Sequence, residues 1–294
     1  MGKSAGVMRH VKRNAIWLVL IVEVLFFAIF SHGKFVSGSN LVNIMRQVSY
    51  YGIASVGMTF VILIAGIDLS IGSIITLVNM VCAYMMVNMG VNMWIAILAS
   101  LLISILIGLL NGFMVASVGM PALIATFASQ TVFEGLAFLL TNGRPVSGFT
   151  KTYPAINFFA RWTLGPVPWC AIIMVLCFAV GSFILNRSYF GRYFYAIGGN
   201  AVSAHRAGFN VKRTRFLMLV FVGMISALAG MCRICMMQQM HPTNMLGMEM
   251  NIIAGVVLGG TSIAGGSGTL FGCMLGTALI VAVFLAIPYW KSKA

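Results

Sequence analysis

Only four carboxylates occur in 294 residues: Glu23, Asp68, Glu134 and Glu249. A chain so poor in acidic groups cannot present a charged surface to water on every side. Charged residues make up 7% of it and hydrophobic residues 61%, where an ordinary soluble domain carries about 25% charged residues. The deficit excludes a soluble globular domain. The apolar excess excludes a disordered chain, which lacks such residues. Length excludes a small disulfide-stapled scaffold. A polytopic membrane protein remains.

Crossing a bilayer takes about 20 mostly apolar residues per helix. Candidate runs lie at 14–31, 44–65, 70–89, 92–117, 120–141, 167–186 and 214–237. A glycine-rich stretch at 251–288 has room for two more, with a break near Gly265–Gly266. The expectation is an all-α transmembrane helical bundle of eight to ten spans with interrupted glycine-rich segments. It forms one transmembrane domain over 1–294, with no Pro- or Ser-rich linker. The first run follows a basic start but lacks a small-x-small cleavage site, so it reads as an uncleaved span.

The formal net charge is +14. Its placement argues for membrane topology rather than a nucleic-acid groove. Lys3, Arg9, Lys12 and Arg13 lie at the start; Arg187, Arg192, Arg206, Lys212, Arg213 and Arg215 lie in or beside one loop. Basic flanks stay cytoplasmic during insertion. The N-terminus and the 187–213 loop are therefore expected inside, with six spans between them. Lys34, Arg144, Lys151 and Arg161 fall in outward loops. Lys291 and Lys293 conflict with nine full spans, so a re-entrant stretch or a further span is expected.

Ionisable groups inside spans are expensive and mark functional candidates. Glu23 lies mid-span. Asp68 is expected to cap the helix that follows Asp68-Leu-Ser-Ile. Glu134 has no basic residue four positions away, so Arg233, on another span, is its expected partner. Glu249 opens a helix, where a carboxylate suits the dipole. The Cys232–Cys235 spacing reads as two small apolar residues one turn apart, not as a metal or redox pair. There is no HExxH or GxSxG, and the glycine-rich segments lack the P-loop lysine. The expectation is a membrane protein with no catalytic residue, no metal and no cofactor of its own.

Two segments, Ala65–Ser73 and Gly259–Ser267, follow apolar runs and are dense in Gly and Ser. Interrupted segments in the two halves of a transporter mark a central pathway. The pathway candidates are Gly66, Asp68, Ser70, Gly72, Gly259, Gly260 and Thr261, with Glu134 and Glu249. Gly108 and Gly112, and Gly268, Gly272 and Gly276, have close-packing spacing, within the bundle or between subunits. In the cytoplasmic loop, Asn200 can cap a short helix over 201–207, with Gly208 as its stop. That order predicts a docking knob rather than a simple turn.

Three long motifs carry a family resemblance: Gly57–Ser73, Tyr195–Gly208 and Val256–Thr269. Asn142–Gly143 and Pro242-x4-Gly247-x-Glu249 add smaller landmarks. Over about residues 40 to 280, in order, they resemble the permease subunits of ABC importers for sugars of the ribose/xylose/arabinose type. The resemblance implies a ten-helix plan in the bacterial inner membrane. Two permeases, identical or sister chains, form the pore in contact with membrane lipid. Two cytoplasmic ATPases bind ATP and Mg and receive the coupling segment, here Gly198, Gly199, Asn200, Ala204, His205, Arg206 and Gly208. A periplasmic sugar-binding protein delivers a small neutral sugar. No nucleic acid is involved. The chain departs from the family in having Glu134-Gly135 where Arg-Gly is usual and Arg233 in place of an Arg at Met236. The family's last helix has no evident counterpart before Ala294. Two alternatives stand: a branched-chain amino-acid ABC permease, and an ion-coupled secondary transporter using Glu134 or Glu23.

Overall fold

The computed structural model describes residues 2–237, 239–243 and 245–291. In chain order its longer helices are α1 (Gly2–Phe30), α2 (Gly38–Leu63), α3 (Ile71–Val87), α4 (Met93–Phe113) and α5 (Ala122–Thr141). Two short helices follow, α6 (Phe149–Thr152) and α7 (Pro154–Arg161), then α8 (Trp169–Arg187), α9 (Tyr189–Gly199), α10 (Ala201–Arg206) and α11 (Val211–Met236). The chain closes with α12 (Met248–Leu258) and α13 (Leu270–Lys291). Every apolar run read from the sequence forms a helix. The last stretch is divided by a break over 259–269, wider than the Gly265–Gly266 point expected.

The protein is an all-α polytopic bundle. Five of the described helical stretches are long and apolar enough to cross a membrane: Met93–Val118, Ala122–Thr141, Trp169–Arg187, Val211–Met236 and Leu270–Ile287. Ile16–Phe30, Ile71–Val87 and Met248–Leu258 are apolar but shorter. Among the described residues, length and hydropathy alone do not confirm the expected count of eight to ten spans. The basic side chains of Lys3, Arg9, Lys12, Arg13, Lys291 and Lys293 lie outside the described residues.

α2 is the axis. Every residue from Val48 to Leu63 is buried, against α8, α11, α12 and α13. A helix enclosed by protein need not be apolar all round, and α2 carries Ser, Thr, Gly and Tyr. Ser55 Oγ donates back to Tyr51 O at 2.8 Å and Thr59 Oγ1 to Ser55 O at 2.7 Å, while Thr277 Oγ1 donates to Ser55 Oγ at 2.9 Å. α3 lies in a second layer with α4, α5 and α11. Leu98, Leu102, Leu106, Leu139 and Phe183 remain exposed on the outer helices, as a lipid-facing surface requires.

The small-residue stripes pack inside this chain. A methyl on Gly108 would lie 2.8 Å from Leu219 O, and one on Gly223 would lie 2.5 Å from Ser104 O, so α4 and α11 meet backbone to backbone. Methyls on Gly272 and Gly276 would strike Gly259 O and Gly255 O, which draws α12 against α13. At one end, β1 (Val146–Ser147) pairs antiparallel with β4 (Gln239–Met240), and β2 (Thr163–Leu164) with β3 (Val167–Pro168). Tyr153 Oη ties the α6–α7 loop to Val91 O at 2.7 Å. The 142–166 segment, expected as an outward loop, thus carries short helices and strands of its own. α9 and α10 occupy the opposite end.

Candidate functional site

The two interrupted segments behave differently. Residues 64–70 leave α2 at the α10 end and run without helical hydrogen bonding to the start of α3. Side chains take up several of their buried polar groups, while Asp68 Oδ2 has no hydrogen-bond partner among the described residues. Leu69 N donates to Thr126 Oγ1 at 3.0 Å. Ser70 donates to Asp68 Oδ1 from its backbone N at 2.7 Å and its Oγ at 2.6 Å. Asn111 Nδ2 donates to Ser70 Oγ at 2.9 Å, and Ser129 Oγ donates to Asn111 Oδ1. Irregular backbone at membrane depth survives only with such partners. The expected capping role of Asp68 is corrected here: its carboxylate closes a turn on Ser70, and Ser70, not Asp68, is the residue that precedes α3.

Above that turn the first residues of α3 meet the first residues of α12. A methyl on Gly72 would lie 2.7 Å from Glu249 Oε2 and 2.9 Å from Met245 O. α12 has 11 residues, so Glu249 lies about 15 Å from the 259–269 end at 1.5 Å per residue. That is about half of a 30 Å hydrocarbon core. Two helix N-termini thus converge at mid-bundle around one carboxylate, which their dipoles stabilise. Glu249 opens α12 as the sequence predicted. It is 5% exposed, and its Oε2 has no hydrogen-bond partner among the described residues.

Glu134 joins this centre through a residue the sequence reading missed. Gln130 Nε2 donates to Glu134 Oε1 at 3.0 Å and to Glu249 Oε1 at 3.1 Å. The expected Glu134–Arg233 pair is therefore wrong. Arg233 is buried on α11, its guanidinium carbon 5.6 Å from the centre of the Tyr50 ring. The amide of Gln130 outcompetes it because it lies one turn from Glu134 on the same helix. The signal for Gln130, Asn111 and Ser129 was present: polar residues in the middle of apolar spans. Screening for ionisable groups alone passed over them.

The second interrupted segment joins the first at the α10 end. Gly266 N donates to Leu63 O at 2.9 Å. A methyl on Gly198 would strike Leu63 O and lie 2.4 Å from Gly266 N. One on Gly265 would lie 2.8 Å from Ala65 N. Tyr195 Oη donates to Gly268 O at 2.9 Å, and burial pushes its phenol up, keeping it a donor. The end of α2, the 259–269 break and the end of α9 thus form one backbone junction. Gly259, Gly260 and Thr261 belong here and not to the mid-bundle centre: methyls on Gly259 and Gly268 would press on Cys273 Cα and on Thr261. Gly66 lies beside Val61 and Ala122 at the same end. The predicted pathway residues therefore divide into a mid-bundle set (Asp68, Ser70, Gly72, Glu134, Glu249) and a junction set.

α10 follows directly. Asn200 Oδ1 accepts from Ser203 N at 2.9 Å. At the other end Gly208 has φ +91°, Gly208 N donates to His205 O at 3.0 Å and Phe209 N to Ala204 O at 3.1 Å. That is the Schellman pattern, so the cap and stop read from the sequence are in place. α9 was not anticipated: Tyr189–Gly199 is helical although two glycines end it. Ala204 is 4% exposed and faces inward, as does Gly198, while Val202 is 63% exposed. The surface offered outward consists of Val202, Ser203, His205 and Arg206. Cys232 and Cys235 are free thiols within α11.

Residues 40–293 match the family described as the permease component of the branched-chain amino acid transport system. The chain is 41% identical to the ribose import permease protein RbsC of Bacillus subtilis over 264 residues, 90% of this chain and 79% of that protein. It is 36% identical to RbsC of Escherichia coli K12 over 248 residues, 84% and 77% of the two chains. It is 32% identical to the D-allose transport system permease protein AlsC of E. coli over 265 residues, 90% and 80%. No solved structure matches it. The chain belongs to this permease family, and the relatives named are sugar permeases of the type that its three long motifs resemble.

Proposed function

We propose that this member of the permease family is the membrane-spanning subunit of an ATP-driven importer for a small neutral sugar, a pentose or a hexose. The observation that carries the reading is the backbone junction at the α10 end. A capped helix with an outward Val202/His205/Arg206 surface sits beside Gly198 and Gly199, and the α9 end that leads into it packs on the end of α2, where segment 64–70 begins, and on the 259–269 break. One of these segments, residues 64–70, leads straight to the mid-bundle carboxylates. Force applied to α10 therefore has a short, rigid route to the pathway. The names of the relatives, ribose and D-allose permeases, favour a sugar over a branched-chain amino acid.

On this reading the chain acts as one transmembrane domain over 1–294, in the bacterial inner membrane, with its N-terminus and α10 cytoplasmic. A cytoplasmic ATPase subunit docks on α10 and binds ATP and Mg; this chain holds no cofactor and catalyses nothing. A second permease, identical or sister, completes the pore, and a periplasmic binding protein delivers sugar. The coupling set Gly198, Gly199, Asn200, Ala204, His205, Arg206 and Gly208 splits by role. Gly198 and Ala204 hold the knob to the bundle, and His205 and Arg206 present it.

The test is uptake of labelled sugar in cells lacking their own permease, with the chain co-expressed beside its ATPase and binding protein. Val202→Glu with Arg206→Glu changes only exposed positions. Uptake and co-purification of the ATPase should fall at least about tenfold, the size of a lost interface anchor, with no loss of melting temperature. Unchanged uptake would sink the docking role of α10.

A further inference from the structure

Gln130, Glu134 and Glu249 have a polarity that the importer reading does not by itself require. The Gln130 amide commits both N–H groups, one to each carboxylate. A carboxylate accepts only, so this fixes the amide orientation and turns its carbonyl oxygen away. The side chains left half-buried at the surface are Gln130 and Glu134, on a helix whose neighbouring positions Phe127, Val132 and Leu136 are exposed and apolar. What this patch presents is acceptors alone: the Gln130 carbonyl and the second oxygen of Glu134. Behind it Glu249 is buried, with one oxygen on Gln130 and the other, beside Gly72, without a hydrogen-bond partner among the described residues.

We propose that Gln130 and Glu134 form a hydroxyl-accepting station on the translocation path, fitted to a polyol and closed to anions, with Glu249 as the positioning residue that locks Gln130. The inference rests on the importer reading and adds the chemistry by which the path engages its cargo. A sugar offers several O–H donors on adjacent carbons, and hydrogen bonds to a charged acceptor are about twice as strong as neutral ones. An acidic or phosphorylated solute would meet two carboxylates with no donor to answer them. The site lies at the start of α12, about half a hydrocarbon core from the 259–269 end, where a passing solute has left bulk water and needs replacement partners. Glu249 is held by two helix N-termini, so it can stay fixed while the half-buried pair exchanges partners with the cargo.

The experiment uses the assembled transporter, with its ATPase and binding protein, in proteoliposomes. The cargo is the first of D-ribose, D-xylose and D-allose that the wild type moves; sugar moved and ATP hydrolysed are both counted. Glu134→Gln keeps shape and removes charge. It should lower sugar moved per ATP about tenfold while binding-protein-stimulated hydrolysis is retained. Monodeoxy analogues of that sugar complete a cycle. For the analogue lacking the engaged hydroxyl, wild type and Glu134→Gln should move equal amounts per ATP. Glu249→Gln should show the same pattern with a smaller loss. A sugar-to-ATP ratio unchanged in Glu134→Gln, or lowered equally for every analogue, would overturn the station alone. A wild-type assembly that moves none of the three sugars, or moves them on an imposed proton or sodium gradient without ATP, would overturn the importer reading and the station with it.

Discussion

Gly72 shows how one missing methyl can place a charge. Its Cα lets Glu249 approach the first turn of α3, and any side chain there meets Glu249 Oε2 at 2.7 Å and Met245 O at 2.9 Å. Neither neighbour yields easily, since one is main chain and the other is held by Gln130. Gly72→Ala should therefore destabilise the protein by about 1–3 kcal/mol, the range for overpacking a filled site. Gly135→Ala is the control, because a methyl there meets nothing within 4 Å. Thermal melts in detergent should separate the two, with a lower midpoint for Gly72→Ala only; equal midpoints would mean that α3 and α12 shift apart freely. Glu249 was legible in the sequence as a helix-opening carboxylate. Its neighbours were not. Gly72 and Gln130 approach it across 177 and 119 positions of chain, and no local pattern encodes that proximity. Arg233 shows the same limit: as an opposite charge it looked like the partner of Glu134, but it packs over Tyr50 instead.

The elements divide by where their hydrogen bonds end. α10 is short, yet both ends are written locally, by Asn200 on Ser203 N and by Gly208 at φ +91°. Asn200→Ala removes the N-cap and should cost about 1 kcal/mol. In a six-residue helix that loss concentrates on few hydrogen bonds. The amides of Ser203 and Ala204 should exchange several-fold faster in Asn200→Ala, with α11 amides unchanged. Equal exchange in both segments would show that packing of Ala204, rather than the cap, holds α10. Segment 64–70 is the opposite case. It has no repeating hydrogen bond of its own, and Thr126, Asn111 and Ser129 on α4 and α5 complete it. α9 was missed because its final two glycines read as loop, while Ser188 at its start accepts from Gly191 N at 3.3 Å and makes a usable cap.

At the scale of the whole molecule, the α10-end junction links α10 to the path. Three stretches far apart in sequence (the end of α2, the end of α9 and the 259–269 break) meet main chain to main chain at Gly198, Gly265 and Gly266. Such contacts transmit displacement because there is no side chain to absorb it. Gly198→Ala would press a methyl on Leu63 O and the Gly266 backbone, whereas a methyl on Gly199 meets nothing within 4 Å. Gly198→Ala should lower both the melting temperature and ATP-driven uptake; Gly199→Ala should leave the melting temperature unchanged. If the two variants behave alike, the junction is slack and the proposed route from α10 to the carboxylates fails.

Several properties were settled by local chemistry alone. A chain with 7% charged residues has to sit in a membrane, its apolar runs have to be helical, and Asn200 and Gly208 bound α10 whatever lies around them. The family also followed from contiguous motifs, because a motif is a local object. Tertiary structure decided the rest. It closed the glycine stripes within the chain, separated Gly259–Thr261 from Glu249, and turned Ala204 inward. It also paired Glu134 with Gln130 in place of Arg233. The physical reason is common to all four: in a packed bundle a side chain's partner is whatever the helix crossing places within reach, and that crossing is set by backbone contacts between different elements, which no local pattern encodes.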